Sequence, residues 1–269
     1  MERFAHEPNL VYGTRPGLVA LLGTSYPTPP ASFPNCSHGR TGENAQFETA
    51  PARNTYLWTA ATPEGLAQAP RRLAIDAPTW DYDPLHNGAI CDTNAAGAVP
   101  PNSSALVGLW RRCETSMLHT VPHTFTAANV SDATSYSPNI SDANMPFLAH
   151  AGAEDPMVFY YPGQTNAAGV PIFHALLHDE QQTRCMDGPV GCWPGGRHAF
   201  SADAGATWDY APLDAYNGSV AFTDGSTAEF FLRARPHLLL EGSRVVALST
   251  GVRPIEATDY VFTLVQPVH

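Results

Sequence analysis

Proline sets the first limit on this chain, with 25 spread through its 269 residues. Each removes a backbone donor and locks φ, so long helices have no room to grow. What lies between is a series of short apolar runs bounded by Gly, Pro, Asn or Asp, the pattern of strands and turns. The clearest are Leu10-Val11-Tyr12, Leu18 to Leu22, Thr55 to Trp58, Ala105 to Trp110 and Met157 to Tyr160. Ile172 to Leu177, His237 to Leu240, Val245 to Ser249 and Val261 to Val265 continue the series. The fold class predicted is all-β.

Charge excludes several partners. Acidic residues number 25 against 14 basic ones, all arginine, for a net charge of −11. No basic stretch exists to track phosphates, so nucleic acid is not an expected partner. Nothing approaches the ~20 apolar residues of a membrane-spanning helix, and membrane insertion is not expected. The opening Met1-Glu2-Arg3-Phe4-Ala5-His6-Glu7-Pro8 has no apolar signal core,. Five N-x-S sequons, at Asn35, Asn102, Asn129, Asn139 and Asn217, point instead to a secretory route,. The expectation is a secreted or lumenal glycoprotein, acting as a monomer, whose signal lies upstream of Met1. Cys185 and Cys192 bracket a short Gly/Pro loop suited to a local disulfide, and Cys91 and Cys113 flank a segment able to fold back as a hairpin. Cys36 is left over, and five free thiols are the alternative. No C-x-x-C spacing is present, so neither metal nor cofactor is expected.

Stacking the apolar runs shows a repeat. Glu7-Pro8, His86-Asn87-Gly88, Asp155-Pro156 and Arg235-Pro236 each open a unit of apolar strand, turn and second apolar strand. Such units begin propeller blades, whose first strand borders the central channel. One domain over 1–269 is expected, with blades at approximately 4–78, 79–148, 149–212 and 213–269. Ser201-Ala202-Asp203-Ala204-Gly205-Ala206-Thr207-Trp208 fits the S-x-D-x-G-x-T-W Asp-box at every specified position. That motif forms a hairpin turn between the outer strands of a blade, away from the channel. Thr59 to Gly65 occupies the equivalent place in the first unit.

With these residues the chain resembles the five-bladed β-propellers of the arabinanase, β-xylosidase and invertase glycoside hydrolase clan (families 43 and 32), and within that resemblance an uncharacterised group of secreted eukaryotic propellers. The likeness is carried by Glu154-Asp155-Pro156, by Gly195 to Ser201 running into the Asp-box, by Arg233 to Leu238, and by the closing Phe262 to Pro267. It implies a β-propeller of the five-bladed type in which about four blades are visible and the first is missing. It also implies an O-glycosyl hydrolase that takes oligosaccharide or polysaccharide at the channel mouth. The alternative is a non-catalytic carbohydrate-binding or cell-surface interaction propeller, and a structural platform comes third. Sialidases carry several Asp-boxes and an arginine trio; this chain has one good box.

Glycosidic cleavage needs a protonated acid on one face and a carboxylate on the other. Asp155 stands where the clan's Asp-Pro motif places the aspartate that stabilises the transition state. Glu154, Glu7 and Asp83 are candidates for the second carboxylate. Neighbouring strand residues point to opposite faces, so Glu154 and Asp155 are not expected to aim equally into the channel. Arg235 and His237, two apart, are expected to share a face. Arg235 suits a sugar hydroxyl or a substrate carboxylate, or a salt bridge to Glu154 or Asp155 that locks neighbouring blades. His198, His86 and Asn87 complete the substrate-binding candidates. His174 and His178 share a strand face without a zinc motif. Trp80, Trp110 and Trp193 either stack on sugars or pack blades.

Overall fold

The computed structural model describes residues 6–25, 54–76, 94–113, 120–138, 153–179, 195–242, 244–255 and 261–268. Sixteen strands among them form four antiparallel four-stranded sheets, and no α-helix occurs among the described residues. The first blade is β1 (His6–Leu10), β2 (Val19–Ser25), β3 (Asn54–Ala60) and β4 (Arg72–Ile75), in that order. The second is β5 (Ala96–Ala98), β6 (Leu106–Cys113), β7 (Thr120–Ala127) and β8 (Tyr136–Pro138). The third is β9 (Ala153–Thr165), β10 (Pro171–Asp179), β11 (Gly196–Ser201) and β12 (Asp209–Tyr210). The fourth is β13 (Ser219–Ala221), β14 (Thr227–Glu241), β15 (Arg244–Pro254) and β16 (Phe262–Pro267). The described residues form a β-propeller of four blades, and every apolar run marked above lies on a strand or beside one.

Two units depart from the expected alignment. In the second blade, β6 is flanked by β5 and β7. Its inner partner is therefore Ala96–Ala98, not the run from His86 to Cys91, which lies outside the described residues. Ala, Gly and Ala have little strand propensity, and the strand is legible only from its partners. In the fourth blade, the Arg235-Pro236 strand β14 is second in its sheet, because short β13 pairs with its first residues (Ser219↔Glu229).

Continuous apolar runs follow from burial on both faces. Along β6, Leu106 and Trp110 join Leu22, Leu57 and Ile75 between the first and second blades. Val107 and Leu109 turn the other way, towards Val158, Phe173 and Leu177 of the third. Along β9, Val158 and Tyr160 face the second blade, while Met157, Phe159 and Tyr161 join Leu176, Leu238 and Leu248 against the fourth. Trp110 is a blade-packing residue. Gly108 is required at its place, because a Cβ there would sit 2.4 Å from the Phe125 ring that lies across it.

A polar turn fastens the second and third blades from outside. Between β11 and β12, Asp203 Oδ1 accepts from Thr207 N–H (2.8 Å) and from the Ser201 hydroxyl (2.8 Å). Gly205 takes φ +86° there, with its N–H donating to Ser201 Oγ (2.8 Å). Trp208, buried, donates its indole N–H to Thr124 Oγ1 (3.1 Å), and the Thr124 hydroxyl donates to the Gly205 carbonyl (2.9 Å). In the first blade the segment Thr59 to Gly65 likewise links third and fourth strands. Thr124→Val should strand a buried indole N–H and lower stability by about 1–3 kcal/mol. Urea unfolding with an unchanged m-value checks it.

Candidate functional site

The site is built at bulges near the starts of β1 and β9 and midway along β14. There the ladder slips: register shifts fall between His6 and Asn9 in β1, opposite Asp155-Pro156 in β9, and between Ala234 and His237 in β14. Each slip contains Pro8, Pro156 or Pro236, which has no N–H to give the ladder, so a bulge leaves fewer donors unpaired. Asp155 (φ +51°) and Arg235 (φ +54°) occupy the left-handed region, and Asn94 (φ +35°), leading into β5, lies towards it. The left-handed region costs a non-glycine residue roughly 1–2 kcal/mol. Asn102 and Ala204 adopt it in turns, whereas at Asp155 and Arg235 it falls inside strands, where backbone strain is a pointer to function,.

The bulges bring residues of all four blades into one polar chain. Asn9 donates its amide to the Ala95 carbonyl (3.2 Å), and Asn94 N–H donates to Thr24 Oγ1 (3.2 Å), joining the first and second blades. Asn94 Nδ2 donates to Asp155 Oδ1 (2.7 Å), joining second to third. Arg235 Nε stands 4.0 Å from Asp155 Oδ2, joining third to fourth, and close by Leu238 N–H donates to Met157 Sδ (2.8 Å). Asp155 is 8% exposed and Asn94 fully buried, while the Arg235 side chain is 55% open to solvent. Asn94 Oδ1 is buried without a hydrogen-bond donor, an acceptor of the kind that calls for a water or a ligand,. His237 is exposed yet enclosed by protein, and that enclosure lowers its pKa.

Further along the inner strands, tyrosines from opposite blades meet. Tyr12 of the first blade and Tyr160 of the third are in edge contact at 5.1 Å. Burial first, then the neighbouring Tyr160 and Tyr161, raises the Tyr12 pKa. Tyr12 also exchanges backbone hydrogen bonds with Gly97 and Val99 of the second blade (3.0 and 2.8 Å).

The structure thus brings together Asp155 and Arg235, in the ion pair that the sequence offered as the alternative to sugar binding at Arg235. The bulges remove the basis of both alternation arguments: positive φ at Asp155 and Arg235 breaks the two-residue period, so spacing from Glu154 or to His237 does not decide the face. Glu7 and Glu154 lie on β1 and β9, and their side chains are outside the described residues. Asp83, His86, Asn87, Trp80, Trp193, Cys36, Cys91, Cys185 and Cys192 are outside them altogether, as is the side chain of Cys113. Sequence reading missed Asn94, whose place in the repeat was assigned to Asn87, and Asn9 and Thr24, which carry no motif.

His198 is not part of the rim cluster. It sits on the third strand of its blade, its Nε2 2.9 Å from His174 Nδ1, with ring planes within 10° and centroids 5.1 Å apart. A nitrogen contact so much shorter than the centroid separation means that the rings meet edge to edge in nearly one plane. Gln164 Oε1 caps the other end, 2.6 Å from His174 Nε2. Burial, then the neighbouring His198, lowers the His174 pKa to about 4, and burial lowers that of His198. No group of three metal-ligating side chains occurs among the described residues.

No protein-family model and no curated protein sequence matches the chain. Solved structures do. A thermostable family-43 glycoside hydrolase is similar at 10% identity and a TM-score of 0.54, over 97% of this chain and 68% of that one. The family-32 β-fructofuranosidase of Bombyx mori, determined with sucrose, gives 10% and 0.52 over 98% and 46%. Sucrose-6-phosphate hydrolase of Lactobacillus gasseri gives 13% and 0.52 over 98% and 44%. The chain spans under half the length of the latter two. At these identities the likeness is one of fold alone, that of a β-propeller.

A pH consequence follows from His174. Its charged form is disfavoured in the fold, so stability is full above the unfolded-state value of about 6.5 and is lost as pH falls towards 4,. The loss is at most about 3 kcal/mol, at ~1.4 kcal/mol per pH unit. His174→Phe, which keeps an aromatic ring in the contact, should flatten the dependence of urea midpoint on pH between 6.5 and 4. An unaltered slope would assign the acid lability elsewhere.

Proposed function

We propose that the protein is a carbohydrate-active propeller of the glycoside hydrolase type, binding oligosaccharide or polysaccharide at the inner-strand rim and hydrolysing an O-glycosidic bond there. The observation that carries the reading is Asp155: a nearly buried carboxylate in left-handed backbone, placed by Asn94 on one side and Arg235 on the other. A saccharide offers many hydroxyl donors and acceptors in fixed relation. Asp155 Oδ2 is an acceptor, and the open Arg235 guanidinium is a forked donor,.

Held between an amide N–H and a guanidinium, Asp155 is equipped to accept hydrogen bonds and to orient substrate rather than to give up a proton. The proton donor and the opposing carboxylate would then come from Glu154, Glu7 and Asp83, acting in the two-carboxylate scheme of glycoside hydrolysis. No metal or cofactor is needed by that scheme. The proposal keeps the Ser201–Trp208 turn as an Asp-box, a fold-fastening element remote from the chemistry.

One observation favours a second reading, a propeller that binds saccharide without cleaving it. The carboxylate of Asp155 already has two partners from other blades, and a site made of Asp155, positioned by Asn94, and Arg235 recognises hydroxyls without a second carboxylate.

Incubation with a panel of plant and microbial oligosaccharides, read by reducing-sugar release and by calorimetry, separates the two. Hydrolysis predicts release by the parent protein and its loss, by at least a hundredfold, in Asp155→Asn with an unchanged circular dichroism spectrum. Unchanged turnover in Asp155→Asn removes that residue from the mechanism, and saturable binding with no release at all selects the second reading. Arg235→Ala should weaken binding about tenfold or more in either case.

A further inference from the structure

The described asparagines divide into two sets without overlap. Asn9, Asn54 and Asn94 are buried and Asn166 is half-buried; none is followed at the second position by Ser or Thr. Asn102, Asn129 and Asn217 are exposed, and each opens an N-x-S triplet. A glycan bonded to Nδ2 can be carried in a folded protein only where that nitrogen reaches water. Local geometry agrees with the division. Asn129 Oδ1 accepts from both the N–H (3.0 Å) and the hydroxyl (2.8 Å) of Ser131, and Asn217 Oδ1 accepts from Ser219 N–H (3.0 Å). In both, the side-chain oxygen of an exposed asparagine folds back onto its own turn. Asn102 occupies a turn at φ +59°, a conformation that asparagine tolerates,.

From exposure, turn geometry and the triplets together we infer that Asn102, Asn129 and Asn217 are acceptors of N-linked glycans. In the transfer, the amide Nδ2 loses one proton and bonds to the anomeric carbon of an oligosaccharyl diphosphate donor. The bond from that carbon to the donor's diphosphate breaks, and the diphosphate leaves with the electron pair.

Placement decides what the glycans do. Asn102 follows the end of β5 and Asn129 the end of β7, and their turns are joined by Val130 N–H to the Ser104 carbonyl (2.8 Å). Asn94, at the rim, precedes the opposite end of β5. Two neighbouring glycans therefore cover the face of the second blade away from the rim and leave the Asp155 site open. Asn217 lies next to Tyr216, which pairs with Gly196 at the rim-side start of β11, and its carbonyl accepts from the buried Arg233 (2.7 Å). Its glycan would stand on the rim side, over a turn held from beneath.

The test is glycopeptide mapping of the chain expressed in a eukaryotic secretory host behind a cleavable signal sequence, with enzymatic deglycosylation in heavy-oxygen water to mark occupied sites. All three asparagines are expected to carry glycan. Ser131→Ala should lose the glycan at Asn129 alone, and Ser131→Thr should keep it. Unmodified Asn102, Asn129 and Asn217 in the lumenal chain, or a glycan at Asn129 that survives Ser131→Ala, would overturn the inference. The readout needs no enzymatic activity, so it stands apart from the carbohydrate-active reading of the rim.

Discussion

The Asp155 carboxylate is the point at which three blades meet. Asn94 comes to it from the second blade and Arg235 from the fourth, over separations of 61 and 80 positions in the chain. A buried carboxylate is costly unless its oxygens are matched by donors, so the relative placing of three sheets is tied to one side chain. Asn9 and Thr24 extend the same chain of contacts to the first blade. Packing between blades supplies most of the cohesion, but apolar faces slide and polar rims do not. The rim fixes the angle at which blades are presented, and with it the geometry of whatever binds there.

That rim is purchased with strained backbone. Asp155 and Arg235 are left-handed, each beside a proline that cannot join the ladder, and both lie within bulges. Bulges re-aim side chains that a regular strand would send to one face or the other. Here they turn residues of inner strands towards one another across blade boundaries. The Ser201–Trp208 turn also holds a left-handed residue, Ala204 (φ +58°); the rim carries the functional argument because its left-handed residues hold a nearly buried carboxylate between blades.

Much of the fold was legible in the sequence because propeller blades bury both faces. Double burial produces runs such as Ala105 to Trp110 and Ile172 to Leu177 that stand out without any alternation, and prolines mark where they stop. Strands built on small or polar residues did not stand out: Ala96–Ala98 and Thr120–Ala127 are recognised by their partners, not by their own composition. The site was half legible. Asp155 and Arg235 were found through their prolines, but Asn94 has none, and the turn-like His86-Asn87-Gly88 before β5 drew the repeat onto Asn87. His198 followed from its nearness to paired glycines, a sequence cue that says nothing about which strand of a blade a residue occupies. In the structure it belongs to a planar His174 pair instead.

The claim that rests on all of this is that Asn94 and Asp155, remote in sequence, act on each other directly. A double-mutant cycle on urea stability with Asn94→Ala, Asp155→Ala and the pair measures it. Direct contact predicts a coupling of about 1–3 kcal/mol, whereas effects that add to within ~0.5 kcal/mol would show two independent residues and contradict the account.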